Sequence, residues 1–193
     1  MLEQADLVKP LFDEIGLEMG RLGRLTNRLT LAALDSRAVV RLDRFPLDVA
    51  AIARRIIVLF GPEVEKYGIK LVSDLPPKLP LIAANEDALT EVITNLIENA
   101  EKFTPAGGEV KVSGGKDGQK VWIQVADTGM GLTADEQAKL FQRFYRGDPS
   151  RPRPRGIGLG LAISNELVRL HRGTILVSSE VNRGTIFRVE LPG

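Results

Sequence analysis

Two alternating stretches held close by a glycine-rich connection constrain the fold of this chain most. Glu109–Ser113 and Lys120–Ala126 alternate apolar and polar residues, and Gly114-Gly115-Lys116-Asp117-Gly118 joins them. Period-two alternation across a short turn reads as a hairpin with one buried face. A second hairpin, Thr174–Ser179 and Thr185–Leu191 around Val181-Asn182-Arg183-Gly184, closes the chain, and short apolar strands are expected at Ile69–Asp74 and Leu81–Ala84. Helical patterns lie between them. One carries Val49, Ile52, Ile56, Ile57 and Phe60 and is expected to end near Gly61-Pro62. Another is capped by Asn85 and runs to Lys102, before Thr104-Pro105-Ala106-Gly107-Gly108. A short helix is expected at Ala134–Phe144 and a last one from Gly158 to Leu170. Hairpins mixed with helices, without regular βαβ alternation, predict an α+β fold. Its form is a two-layer α/β sandwich, one mixed sheet covered on one face by helices.

The first residues follow a different pattern. Ile15, Met19, Leu22, Leu29 and Ala33 recur at gaps of three and four, with Thr26 in the one polar slot. The pattern predicts a helix that buries one face, either against partner helices or on its own domain. The run from Asp35 to Pro46 breaks the pattern, so two parts are expected, residues 1–44 and 45–193.

Composition narrows the chemistry. The 193 residues contain no cysteine and one histidine, His171, which excludes disulfides, thiol catalysis, cysteine–zinc sites and multi-histidine metal sites. The net charge of +1 gives no global argument for nucleic acid. No apolar run approaches the roughly 18–20 residues of a membrane span. The chain reads as soluble.

Four local features carry possible chemistry. On the helix starting at Asn85, steps of four, four and three put Glu91, Asn95, Asn99 and Lys102 on one face. Mid-helix asparagines are poor helix formers; their amide oxygens suit Mg²⁺ and a nearby lysine suits phosphate, or the face is simply solvated. Asp127-Thr128-Gly129-Met130-Gly131-Leu132 follows a strand, either as a tight turn or as an acceptor for an exocyclic amine with backbone close to a ligand ring. Gly156-Ile157-Gly158-Leu159-Gly160-Leu161 opens a helix, where bare N–H groups attract anions. Between the glycine clusters lie Arg143, Arg146, Arg151, Arg153 and Arg155 against Asp148, a positive loop suited to polyphosphate or to solubility. Together, in this order, the features match the parts of Mg²⁺–ATP.

The ordered motifs also resemble a known family. Asn95-Leu96-Ile97-Glu98-Asn99-Ala100-Glu101-Lys102-Phe103 resembles the N box of sensor histidine kinases, and Asp127–Leu132 the G1 box. Leu140-Phe141-Gln142-Arg143-Phe144-Tyr145-Arg146 is similar to the F box, Gly156–Leu161 to the G2 box, and Gly184-Thr185-Ile186-Phe187 to the last glycine-threonine element. The resemblance implies the Bergerat ATP-binding fold, preceded here by a helix. It implies that Asn95 and Asn99 hold Mg²⁺ and phosphate, that Lys102 meets phosphate, and that Phe103 packs near adenine. Asp127 would accept from the adenine amine, with Gly129 and Gly131 giving room and Thr185 helping through water. Gly156, Gly158, Gly160 and Leu161 would bind phosphates, and Arg143 or Arg146 would neutralise the γ-phosphate during catalysis. Residues 1–44 are similar to the second helix of the family's dimerisation and phosphoacceptor hairpin plus a linker.

No His box precedes that helix, and His171 stands where a histidine is structural. The implied cofactors are ATP and Mg²⁺. The implied partners are the protein's own phosphoacceptor domain, in cis or in trans within a homodimer, and a cognate response regulator. Nucleic acid is not expected. A membrane is expected only through N-terminal regions outside this sequence, which makes the expected location cytoplasmic.

Overall fold

The structure, a computed structural model, describes residues 42–145 and 158–193. The helix expected within residues 1–44, Arg146, Gly156 and most of the arginine-rich loop lie outside the described residues. The elements are β1 (Phe45–Leu47), α1 (Val49–Lys66), β2 (Lys70–Asp74), β3 (Ile82–Ala84), α2 (Glu86–Phe103), β4 (Glu109–Asp117), β5 (Lys120–Asp127), α3 (Ala134–Lys139), α4 (Gly160–Leu170), β6 (Thr174–Glu180) and β7 (Gly184–Pro192).

The main sheet has the order β2-β4-β5-β7-β6, and β1 pairs with β3 in a separate ribbon. Only β2–β4 is parallel; the other pairs are antiparallel, so the sheet is mixed, as expected. Register turns the period-two alternation into rows on the covered face. Val121 faces Leu191; Ile123 lies beside Val189 and Ile175; Val112, Val125 and Phe187 form the next row. All of these are buried. Helix α2 lies over β4 and β5 with α1 and α4 beside it, and it buries Leu89, Val92, Ile93, Leu96, Ile97 and Ala100. Each of the larger of these side chains is worth about 1.5–3 kcal/mol of burial, so this face specifies how the layers stack. Asn85 caps α2 by accepting from the Ala88 N–H at 2.9 Å.

Three expected boundaries move. Helix α1 continues through Gly61-Pro62 to Lys66. Pro62 removes the N–H that would reach the Val58 carbonyl, but Val58 is 77% exposed, so water can serve that carbonyl. The buried stripe Val49, Ile52, Ala53, Ile56, Phe60 and Val64 then extends one turn past the proline. In the first hairpin, Gly114 and Gly115 belong to the strand and the turn is at Gly118-Gln119. Large neighbours on β5 explain it: a Cβ on Gly115 would lie 2.6 Å from the Trp122 ring, and one on Gly114 would lie 2.8 Å from Ile123 Cδ1. Helix α3 stops at Lys139 instead of Phe144. Thr133 and Glu136 start it with a reciprocal capping box, but Phe144 has a φ of 64°, which a right-handed helix excludes.

Candidate functional site

The rows of the sheet change character at one end. After the apolar row of Val112, Val125 and Phe187, the next row on the covered face is Val110, Asp127, Thr185 and Ser179, one from each of four adjacent strands. Alternation aims Asp127 into the space between the layers, and it is only 8% exposed. Its Oδ1 accepts from the Gly129 N–H at 2.8 Å and the Thr185 N–H at 3.3 Å. Oδ2 has no protein partner among the described residues. Burial pushes the Asp127 carboxyl above its ordinary value, and the two backbone donors hold it partly down.

The segment after Asp127 is pressed against its surroundings. A Cβ on Gly129 would lie 2.4 Å from the Phe103 carbonyl oxygen. Gly131 has a φ of 65°, and a Cβ there would lie 2.0 Å from the Glu180 carbonyl oxygen, so only glycine fits. The Met130 N–H donates to the Phe103 carbonyl at 3.3 Å, and the Asn182 N–H to the Met130 carbonyl at 2.8 Å. This stretch is thereby stitched to the end of α2 on one side and to the β6–β7 turn on the other.

Helix α2 brings the expected polar face together, but its members differ. Asn95 is 2% exposed, and its Nδ2 donates to Glu91 Oε1 at 3.2 Å, Ser164 Oγ at 3.2 Å and the Gly160 carbonyl at 3.4 Å. It ties α2 to the first turns of α4. Asn99 is half-buried, and its amide has no protein partner among the described residues. Lys102 is half-buried and Phe103 lies at the edge of exposure, close to the Asp127 segment.

Helix α4 begins at Gly160 with no side-chain cap, which leaves its first N–H groups to other acceptors. Leu161 is half-buried in its first turn. Gly158 accepts through its carbonyl from the Phe144 N–H at 2.9 Å, which joins the two chain segments flanking residues 146–157. Arg143, just before this junction, is exposed.

His171 lies apart from these residues. Its Nδ1 donates to the Leu167 carbonyl at 2.7 Å and its Nε2 accepts from the Asn85 N–H at 3.0 Å. Both ring nitrogens are occupied, and burial first, with the Arg44 charge, holds its pKa below the ordinary value against the opposing Leu167 bond. The ring is therefore a neutral connector between the end of α4 and the start of α2.

One site residue has no motif signal. Ser179 accepts from the Leu132 N–H at 2.8 Å, donates to the Gly184 carbonyl at 2.9 Å and touches Thr185 Oγ1 at 2.9 Å. The only sequence cue was its pairing opposite Thr185 in the second hairpin.

A buried acceptor with a free oxygen, glycine-cleared backbone and an uncapped helix start form one end of a covered sheet. Comparison with known proteins agrees with that arrangement. Residues 84–193 match the model of the histidine kinase-, DNA gyrase B- and HSP90-like ATPases. The chain belongs to this family. Family membership makes the matched region an ATP-binding module, and the related proteins are signalling kinases. The chain is 29% identical to the adaptive-response sensory kinase SasA of Crocosphaera subtropica over 98% of this chain and 50% of that protein. It is 31% identical to the signal transduction histidine-protein kinase BaeS of Escherichia coli over 91% of this chain and 38% of that protein. The crystal structure of full-length ShkA in complex with AMPPNP is 32% identical, with a TM-score of 0.74 over 88% of this chain and 34% of that one. The chain thus spans about half or less of the length of these relatives.

Proposed function

We propose that this chain is the catalytic ATP-binding part of a sensor histidine kinase. It binds Mg²⁺–ATP so that the γ-phosphoryl passes to a histidine of a phosphoacceptor domain, for relay to a response-regulator aspartate. Asp127 is the observation that carries this reading: a buried carboxylate whose Oδ1 is held by two N–H groups while Oδ2 is left to accept from an adenine amine. Phe103, Gly129 and Gly131 border the base, and Thr185 assists Asp127. The start of α4 at Gly160 and Leu161, with Gly158 and Gly156 before it, supplies N–H groups to the phosphates. Lys102 and the arginines Arg143 and Arg146 offset the developing charge of phosphoryl transfer.

A magnesium ion fits the donor set. Among the described residues there is no cluster of three or more histidine or acidic groups, so a metal here depends on phosphate oxygens with few protein ligands. That is how Mg²⁺ sits in many nucleotide sites. Asn99 would hold it through its unpartnered amide oxygen. Asn95 contributes by fixing the start of α4, with its own oxygen beside Gly160. Bound Mg²⁺ would supply charge neutralisation between phosphates.

Residues 1–44 are assigned to the second phosphoacceptor helix and linker, residues 45–193 to the catalytic domain, and the location to the cytoplasm. The phosphoacceptor domain, in cis or in trans, and the response regulator are the partners. AMPPNP, the ligand of the ShkA structure, is an ATP analogue and supports the choice of nucleotide. Calorimetry tests the site: Mg²⁺–ATP should bind more tightly than Mg²⁺–GTP, and equal or absent binding of both would refute it.

A further inference from the structure

Ser179 stands at the centre of three hydrogen bonds, and their proton inventory has only one solution. A serine hydroxyl has one proton to give and two lone pairs. The Leu132 N–H can only donate, so at 2.8 Å it occupies one lone pair. The Gly184 carbonyl can only accept, so at 2.9 Å it takes the Ser179 proton. The 2.9 Å contact with Thr185 Oγ1 is then a bond in which Thr185 donates. Ser179 is saturated, the Thr185 proton is committed to it, and Thr185 Oγ1 keeps acceptor lone pairs alone.

Thr185 is the cross-strand neighbour of Asp127, whose Oδ2 is also an acceptor. We propose that Ser179 is a specificity-determining positioning residue: by committing the Thr185 proton, it makes this end of the site accept only, which selects a base bearing an exocyclic amine over one bearing a carbonyl. The inference deepens the nucleotide reading above and rests on it. Gln137 stiffens the arrangement, since its Nε2 donates to both the Leu132 carbonyl at 3.2 Å and the Ser179 carbonyl at 3.1 Å. A ligand amine finds two acceptors, directly or through a water. A carbonyl oxygen in its place meets lone pairs, and no hydroxyl proton remains to turn toward it.

The test compares ATP with ITP, which carries a carbonyl where ATP carries the amine, by calorimetry on the full chain with Mg²⁺. Wild type should prefer ATP. Ser179→Ala frees the Thr185 hydroxyl to rotate and donate, and should lower the ATP-to-ITP affinity ratio by about fivefold, the scale of one hydrogen bond. Ser179→Thr keeps the hydroxyl and should restore the ratio. Thr185→Val removes the group that Ser179 orients; adding Ser179→Ala to it should change the ratio no further. If Ser179→Ala folds poorly, Thr185→Val alone decides the matter: it should lower the ATP-to-ITP ratio, and an unchanged ratio would overturn the proposal. An unchanged ratio in Ser179→Ala with both affinities reduced alike would make Ser179 a mere strut and overturn the proposal. Wild type binding neither nucleotide would instead overturn the nucleotide reading itself.

Discussion

Asp127 shows how a residue proposed to bind nucleotide works against the stability of its own fold. Its folded pKa is raised by burial, so the native chain holds this proton more readily than the unfolded chain. The associated stabilisation is present below the unfolded value of about 3.8 and is lost as pH rises through the folded value, so at neutral pH the buried charge is a cost. Asp127→Asn keeps an Oδ1 for Gly129 and Thr185 and removes the charge, but turns Nδ2, a donor, toward the ligand amine. Nucleotide-free melting at pH 7 should be no lower than wild type, while ATP affinity falls by about 1–3 kcal/mol. A lower melting temperature with ATP affinity retained would contradict both halves. His171 has the opposite sign. Its folded pKa is lowered, so its contribution is present above the unfolded value of about 6.5 and is lost as pH falls through the folded value. Protonation would set an Nε2–H against the Asn85 N–H. As the only histidine of the sequence, it gives a single set of imidazole resonances, whose NMR titration midpoint should lie below 6.5. A midpoint at or above that value would show that the ring is not held neutral.

At the scale of elements, α2 carries two asparagines four residues apart with different duties. Asn95 joins two helices by donating to Gly160 and Ser164, besides Glu91 on its own helix; Asn99 has an amide free of protein partners among the described residues. Asn95→Ala should therefore cost about 1–3 kcal/mol of stability, because the buried Ser164 and the half-buried Gly160 carbonyl lose the Asn95 donor. Asn99→Ala should leave denaturant stability within about 0.5 kcal/mol of wild type and reduce the Mg²⁺ dependence of ATP binding instead. Chemical denaturation and calorimetry with and without Mg²⁺ separate the two; equal stability losses would mean that both residues are structural. The spacing that put both residues on one face was legible in the sequence, since helical periodicity depends on local geometry alone. Their division of labour was not, because it depends on where Gly160 and Ser164 of another helix come to lie. Ser179 escaped for the same reason: a serine in a strand becomes informative only once Thr185 is opposite it. The length of α1 depended on which side the freed carbonyl of Val58 faced, and the extent of β4 on Trp122 covering Gly115. Alternating strands and glycine motifs were readable because their information is local; boundaries and second partners depended on tertiary neighbours.

For the whole molecule, the decisive relation is between the proposed nucleotide site and the only imidazole in the sequence. His171 sits at the end of α4, the helix whose opposite end at Gly160 faces the Asn95 amide. The 11 residues of α4 at about 1.5 Å rise each put roughly 16 Å between those ends. Its Nδ1 and Nε2 are both held by backbone groups, so phosphorylation there would require breaking the tie between α4 and the Asn85 cap. Under the kinase reading proposed above, His171 is therefore not the phosphoryl acceptor, and that role falls to the histidine of the proposed phosphoacceptor domain. Incubated alone with γ-labelled ATP and Mg²⁺, the chain should remain unlabelled. Addition of an isolated phosphoacceptor hairpin from a relative that pairs with it should produce label on that hairpin, stable in base and labile in acid. Acid-labile label on His171 in the chain alone would refute this division between a nucleotide-holding part and a separate acceptor.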